Sequence, residues 1–311
     1  MILLEVLLLA LGFAFLVKGA DWFVEGASGI ADKFGIPQLV IGLTIVAMGT
    51  SAPEAAVSIT ASLQGSANIA VGNVVGSNIL NILIILGLSS VITSIAVAKT
   101  TIRYEIPIML VSTFLLIGFG MTGDTINLWE GIALWACFIG YLLYMLVMTK
   151  KGLMQAEEMG AVSRPVWKLS LMGLVGLGLI VWGSDLTVDS ATYLAKELGI
   201  GDKFIGLTVV ALGTSLPELF TSVAAARKGK ADIAIGNIVG SNIFNILFIL
   251  GTSSLIIPVV FEASFLIDSL VAVAAGVILW LCVFRKKKLT RPHGILMLLC
   301  YAAYFVYLLI K

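Results

Sequence analysis

Charge is scarce in this sequence. Of its 311 residues 12% are Asp, Glu, Lys or Arg, about half the share of an ordinary soluble domain and too few to cover a water-soluble globule of this size. Cysteine is scarce too: Cys137, Cys282 and Cys300 all lie inside apolar runs, which excludes a disulfide-built scaffold. Excess charge of either sign is missing, with 19 basic and 18 acidic residues, so the basic footprint of a nucleic-acid binder is absent. No polar stretch is longer than 150–168, too short for a separate soluble domain. Apolar residues make up 59% of the chain and the mean hydropathy is +1.09. Disordered chains have the opposite composition. The chain reads as an all-α integral membrane protein.

A helix needs about 20 apolar residues to cross the hydrocarbon core. The apolar runs give ten candidate transmembrane helices, at about 2–28, 36–63, 67–93, 104–122, 127–149, 168–194, 203–226, 231–257, 265–285 and 293–310. They do not alternate polar and apolar as barrel strands do, and no cleavable signal is expected at the start. Basic residues decide orientation. The odd-numbered connections hold 15 of the 19 Lys and Arg, and the even ones only Lys196 and Lys203. Odd connections are therefore expected in the cytoplasm, with both termini outside the cell membrane.

The chain contains an internal repeat. At an offset of 164, GLTIVAMGTSAPE (42–54) matches GLTVVALGTSLPE (206–218) at 10 of 13 positions. IAVGNVVGSNILNILIILGLSS (69–90) matches IAIGNIVGSNIFNILFILGTSS (233–254) at 17 of 22. Each half carries five spans, and an odd number sends the second copy in from the opposite side. Equivalent connections accordingly differ in charge: 64–68 has none, whereas its mate is reached through Arg227 and reads RKGKAD. The expected architecture is two inverted five-helix repeats, 1–149 and 168–311, joined by a short cytoplasmic linker, 150–167. Such inverted repeats, interrupted by helix breakers near midspan, point to a secondary transporter with its site at the repeat interface. Close helix packing alone would account for Gly72, Gly76, Gly236 and Gly240, but not for the acids and amides beside them.

Glu54 and Glu218 lie deep inside apolar spans, where an unpaired charge costs at least a few kcal/mol. Each follows a proline, Pro53 or Pro217, whose missing N–H and bulky ring disrupt the preceding helical turn. Carbonyls around Ala47–Thr50 and Ala211–Thr214 should then lose helical partners and line a polar cavity. Helical spacing places Thr50 and Ser51 beside Glu54, and Thr214 and Ser215 beside Glu218. In the next span of each half, Asn73, Ser77 and Asn81, and again Asn237, Ser241 and Asn245, recur every four residues on one face, flanked by Asn78 and Asn242. All these donors are oxygen, and such sets suit hard cations. The only histidine, His293, falls in a loop.

At these residues the sequence resembles the sodium/calcium exchanger family of the calcium/cation antiporters, through GTSAPE and GTSLPE and through GNVVGSNILN and GNIVGSNIFN. It is similar to the short prokaryotic members, since 150–168 has no room for regulatory calcium-binding domains. The resemblance implies four clustered cation sites at midmembrane. Glu54 and Glu218 would be the shared carboxylate ligands. Thr50, Ser51, Thr214 and Ser215 would supply hydroxyl or carbonyl oxygens, Ala47 and Ala211 carbonyls, and Ser77, Asn81, Ser241 and Asn245 the rest. Some members carry aspartate where Asn245 stands, so the number of sodium ions moved per calcium is open.

Two carboxylates without a cation repel, and burial adds to the cost of ionising them. One calcium or two sodium ions would neutralise them, so charge balance would favour occlusion of loaded states and couple opposed ion movements. The expected function is sodium-for-calcium antiport by alternating access, with the long first and sixth spans sliding across the core. Asp21 and Asp185, on those spans, are read as solvated residues near helix ends. Calcium/proton or potassium-dependent exchange is the nearest alternative. A channel is disfavoured because an inverted pair forms no ring around the membrane normal, and an intramembrane protease because no span holds a histidine base. No enzyme activity, cofactor or obligatory protein partner is expected, only the two ions and membrane lipid.

Overall fold

The protein is described here by a computed structural model covering residues 2–150, 164–199 and 211–310. It is almost wholly helical, because a chain in lipid must satisfy its backbone within each segment. In order the helices are α1 (Ile2–Phe34), α2 (Gln38–Thr50), α3 (Ala52–Leu63), α4 (Asn68–Ile92), α5 (Thr101–Gly120), α6 (Leu128–Lys150), α7 (Val166–Glu197), α8 (Ala211–Thr214), α9 (Leu216–Arg227), α10 (Ala231–Ile256), α11 (Ala263–Phe284) and α12 (Arg291–Ile310). Among the described residues eight helices are long and apolar enough to cross a membrane, and α2 and α3, bent by 49° at the break between them, are long and apolar enough only when taken together. Their ends fall within a few residues of the expected spans. Residues 203–210 of the expected seventh span lie outside the described residues.

Position in the bundle follows composition. The most apolar window of α10 is 94% buried within the protein and that of α4 72%, against 11% for α12 and 17% for α1. The two helices that carry the amide stripes thus form the centre, and uniformly apolar helices form the lipid-facing rim. Long α1 and α7 lie against each other across glycines. A Cβ on Gly19 would sit 2.8 Å from the Gly176 carbonyl oxygen, and one on Gly183 would sit 2.9 Å from that of Gly12, the close backbone approach that small residues permit in membranes.

Two features are absent from the sequence expectation. Gly42–Val46, Asn81–Leu86, Thr101–Glu105 and Asn245–Leu250 are π-helical. Such turns loosen the local backbone ladder and recur at functional sites; two of them begin at Asn81 and Asn245. Four two-residue strands also pair across the halves. β1 (Ile95–Ala96) runs antiparallel to β4 (Lys288–Leu289), and β2 (Thr125–Ile126) to β3 (Val259–Val260). Each clasp joins a connection of the first half to one of the second. Three residues depart from their expected places. Asp21 is partly solvated and paired with Lys228 at 3.1 Å but stands well inside α1, which continues to Phe34. Asp185 stands inside α7, and His293 lies in the first turn of α12 and not in a loop.

Candidate functional site

The proline motifs form helix boundaries. α2 ends at Thr50, Ser51 adopts φ −82 and ψ 10, and α3 restarts at Ala52 with Pro53 in its first turn. Ser215 (φ −91, ψ 3) separates α8 from α9 in the same way, with Pro217 in the first turn. Proline is favourable there, where its missing N–H has no helical acceptor to lose. Glu54 and Glu218 consequently stand in the first turns of α3 and α9, where the helix dipole stabilises negative charge. The expected loss of carbonyl partners is corrected at Ala47, whose oxygen accepts the Ser51 N–H at 3.0 Å and is also approached by the hydroxyls of Thr50 and Ser241, each at 3.3 Å.

Both carboxyl groups are fully enclosed, with Glu54 1% and Glu218 0% exposed, and they repel each other. Their hydroxyl partners are exchanged between the halves. Ser51 donates to Glu218 Oε1 at 2.7 Å, and Ser215 to Glu54 Oε1 at 3.3 Å. Helical spacing had placed each serine beside the glutamate of its own motif; the break at Ser51 and Ser215 turns each toward the other half instead. Ser77 reaches Glu54 Oε1 and Ser241 reaches Glu218 Oε1, both at 3.5 Å.

The amide stripes divide their work. Asn73 donates to the Glu54 carbonyl and to Ser58 Oγ at 3.2 and 2.9 Å, and Asn237 to the Glu218 carbonyl and Ser222 Oγ at 3.4 and 2.9 Å. These two asparagines brace each central helix against the carboxylate-bearing one. Thr50 Oγ1 lies 3.0 Å from Asn237 Oδ1, drawing the first half onto that brace. Asn78 and Asn242 each donate to the other's backbone carbonyl, at 3.2 and 3.1 Å. Their own amide oxygens accept from Asn245 and Asn81 at 3.0 and 2.9 Å. The sequence marked Asn78 and Asn242 only as flanking residues; helix periodicity within one span cannot show that the two helices cross at them.

Within this network of glutamates and asparagines, four buried side-chain oxygens have no hydrogen-bond partner among the described residues: Glu54 Oε2, Glu218 Oε2, Asn81 Oδ1 and Asn245 Oδ1. Buried polar atoms are nearly always satisfied, and these four form two pairs related by the offset of 164. Asn81 and Asn245 spend their N–H groups on the neighbouring asparagines, which leaves the carbonyl ends as acceptors. The hydroxyls beside the carboxylates belong to groups that can turn a lone pair toward a cation. Together they are a set of buried oxygens that includes two carboxyl groups, a donor composition that suits a hard cation. Among the described residues no cluster of three or more His, Cys, Asp or Glu exists, so the charge of any such site comes from the glutamate pair alone. Thr214 is half-buried at the end of α8, and Ala211 is its first residue. Sequence reasoning missed Glu105, which is fully buried and accepts a hydrogen bond from Tyr144 at 2.7 Å; a span begun at 104 had put it at a helix end. It takes no part in this network.

The family model described as sodium/calcium exchanger protein matches residues 4–147 and 168–310. The chain belongs to this family. The two matched stretches begin 164 residues apart, the offset of the internal repeat. This exchanger-family chain is 34% identical to the sodium/calcium exchanger MaX1 of Methanosarcina acetivorans over 99% of both chains. It is 40% identical to the inner membrane protein YrbG of Escherichia coli, over 82% of this chain and 81% of that one. Among solved structures, that of the sodium-calcium exchanger NCX_Mj soaked with Na+ and Sr2+ aligns at a TM-score of 0.86 and 35% identity, covering 98% of this chain and 99% of that chain. The protein is a multi-pass membrane protein of a cation antiporter family, a transporter class distinct from enzymes.

Proposed function

We propose that the protein exchanges sodium for calcium across the cell membrane by alternating access. The observation that carries this reading is the set of four unpartnered buried oxygens on Glu54, Glu218, Asn81 and Asn245. The ligands are the side chains of Thr50, Ser51, Glu54, Ser77, Asn81, Thr214, Ser215, Glu218, Ser241 and Asn245 with the carbonyls of Ala47 and Ala211. The chain acts as ten spans in two inverted five-helix repeats, 1–149 and 168–311, with 150–167 as a cytoplasmic link and both termini outside. The pairwise exchange of Ser51 and Ser215 between the glutamates, and of Asn81 and Asn245 between Asn242 and Asn78, supports a site shared equally by the halves.

Charge balance drives the coupling. An empty cavity with two carboxylates is costly to occlude in a low-dielectric interior. One calcium or two sodium ions remove the net charge, so the loaded states cross and the empty state does not. The test is uptake of radiolabelled calcium into liposomes with sodium, proton and potassium gradients imposed in turn. An outward-directed driving gradient of sodium alone is expected to support uptake; uptake driven by a pH gradient instead would overturn the sodium assignment.

A second prediction follows from both asparagines being neutral. With only two negative charges in the cavity, the cycle is expected to move two sodium ions per calcium and no net charge. Sodium-driven uptake should then be unchanged when a potassium–valinomycin potential is imposed across the vesicle. Uptake that accelerates with potential would show that more than two sodium ions return.

A further inference from the structure

The two halves share a turn but differ in one charge. α3 and α9 both end in a turn closed by a glycine in the left-handed region, Gly65 at φ +80 and Gly229 at φ +73. The backbone bonds correspond: Gln64 N to Thr60 O and Ser66 N to Ala61 O in one half, Lys228 N to Ala224 O and Lys230 N to Ala225 O in the other. At the residue before the glycine, the first half has Gln64 and the second has Lys228.

Lys228 uses its charge on α1. Its Nζ lies 3.1 Å from Asp21 Oδ1 and 2.8 Å from the Asp21 carbonyl oxygen. Glu25, one turn further along α1, pairs with Arg164. By the offset of 164 the mates of Asp21 and Glu25 are Asp185 and Asp189 on α7, and among the described residues neither has an ion-pair partner. Packing is unequal in the same sense. α1 lies along α9, with Phe13 against Phe220 at 6.1 Å, whereas α7 makes no comparable contact along α3. The Lys228 turn belongs to a basic, cytoplasmic connection and Gln64 to the uncharged connection on the other side. α1 is thus drawn over the core on the cytoplasmic half, and α7 stands off it on the outer half.

We infer that the Lys228–Asp21 ion pair is a one-sided latch, which holds the cytoplasmic half closed and biases the carrier toward facing outward because Gln64 can form no equivalent pair with Asp185. This rests on the alternating-access reading above. Under that reading the inward-facing state would bring α7 onto α3 and α1 off α9, so one pair is broken and none is made. The pair is partly solvated, with side chains 32% and 42% exposed, so its weight is that of a modest surface ion pair. That suffices to shift a two-state equilibrium by about two- to fivefold.

The experiment compares half-saturating calcium on the cytoplasmic and outer faces, measured in vesicles of both orientations. The ratio of the two tracks the outward-to-inward population ratio. Lys228→Gln is expected to lower the cytoplasmic-to-outer ratio about two- to fivefold. Gln64→Lys, which leaves the native pair intact and builds its mirror image opposite Asp185, should lower it too, and the double variant should lower it furthest. The exchanged pair Asp21→Lys/Lys228→Asp should restore the original ratio. Spin labels at the exposed Lys18 and Arg227, in protein without other reactive cysteines, should show a larger long-distance population in Lys228→Gln, whatever ion is carried. Unchanged ratios and distances with counter-ion-dependent calcium uptake intact would overturn the latch alone. Calcium movement needing no counter-ion would overturn the antiport reading while the spin-label distances still judged the latch.

Discussion

Glu54→Gln and Glu218→Gln are each expected to abolish sodium-driven calcium uptake while leaving a folded protein. Glutamine preserves the size of the side chain and an oxygen that can accept from Ser215 or Ser51, so the hydrogen bonds that position the group survive. Under the proposed function, what disappears is half of the negative charge that would face a divalent ion at a buried position. Removing one member of a buried ion pair costs about 3–5 kcal/mol. At about 1.4 kcal/mol per decade, calcium affinity should fall at least about a hundredfold. Folding should not suffer, because the variant relieves the repulsion between two enclosed carboxylates. Radiolabelled uptake and a thermal melt on the same preparation check both halves of this statement. Normal exchange in either variant would refute the shared-ligand assignment.

The second large effect is expected at a position with no polar side chain, in Gly240→Val. An added Cβ at Gly240 would stand 2.6 Å from the Leu43 carbonyl oxygen and 2.8 Å from Ala47 Cβ and Leu43 Cα. Backbone atoms cannot yield as a side-chain tip can, so α2 must move away from α10. That displacement carries the Ala47 carbonyl away from Ser241 and the Thr50 hydroxyl away from Asn237. Overpacking of this kind costs about 1–3 kcal/mol, and here it is applied beside the oxygens that would meet the ion. Half-saturating calcium should rise about tenfold or more, with a lower melting temperature. Gly118→Ala serves as the control, since a Cβ there meets nothing within 4 Å among the described residues. Equal behaviour of the two variants would show that α2 and α10 have slack the structure does not suggest.

Local chemistry and its duplication were legible in the sequence, while the direction in which side chains point was not. Proline before glutamate announced a broken helix at both motifs, and the break occurs at Ser51 and Ser215. The prediction failed in assigning those serines to their own glutamates, because i, i+3 spacing describes a continuous helix and the chain turns at just that residue. Asn73 and Asn81 looked equivalent on one stripe. One proves to be a brace with its N–H groups spent on Glu54 and Ser58, and the other leaves its carbonyl oxygen unpartnered. Only the neighbouring helix distinguishes them. The π-helical turns and the β clasps left no mark that periodicity could detect.

By itself, then, the sequence settled that the chain lives in a membrane, that its halves are copies, and that a glutamate and a set of neutral oxygens stand at matching places in each. Hydrophobic length, a constant offset and the expense of burying charge are local or additive properties, so they can be read residue by residue. Tertiary structure alone decided which oxygens are consumed and which are left over, that the hydroxyl of each half serves the carboxylate of the other, and that one aspartate of a matched pair is latched while its mate is not. These depend on distances between segments more than a hundred residues apart, and a one-dimensional pattern contains no such distance.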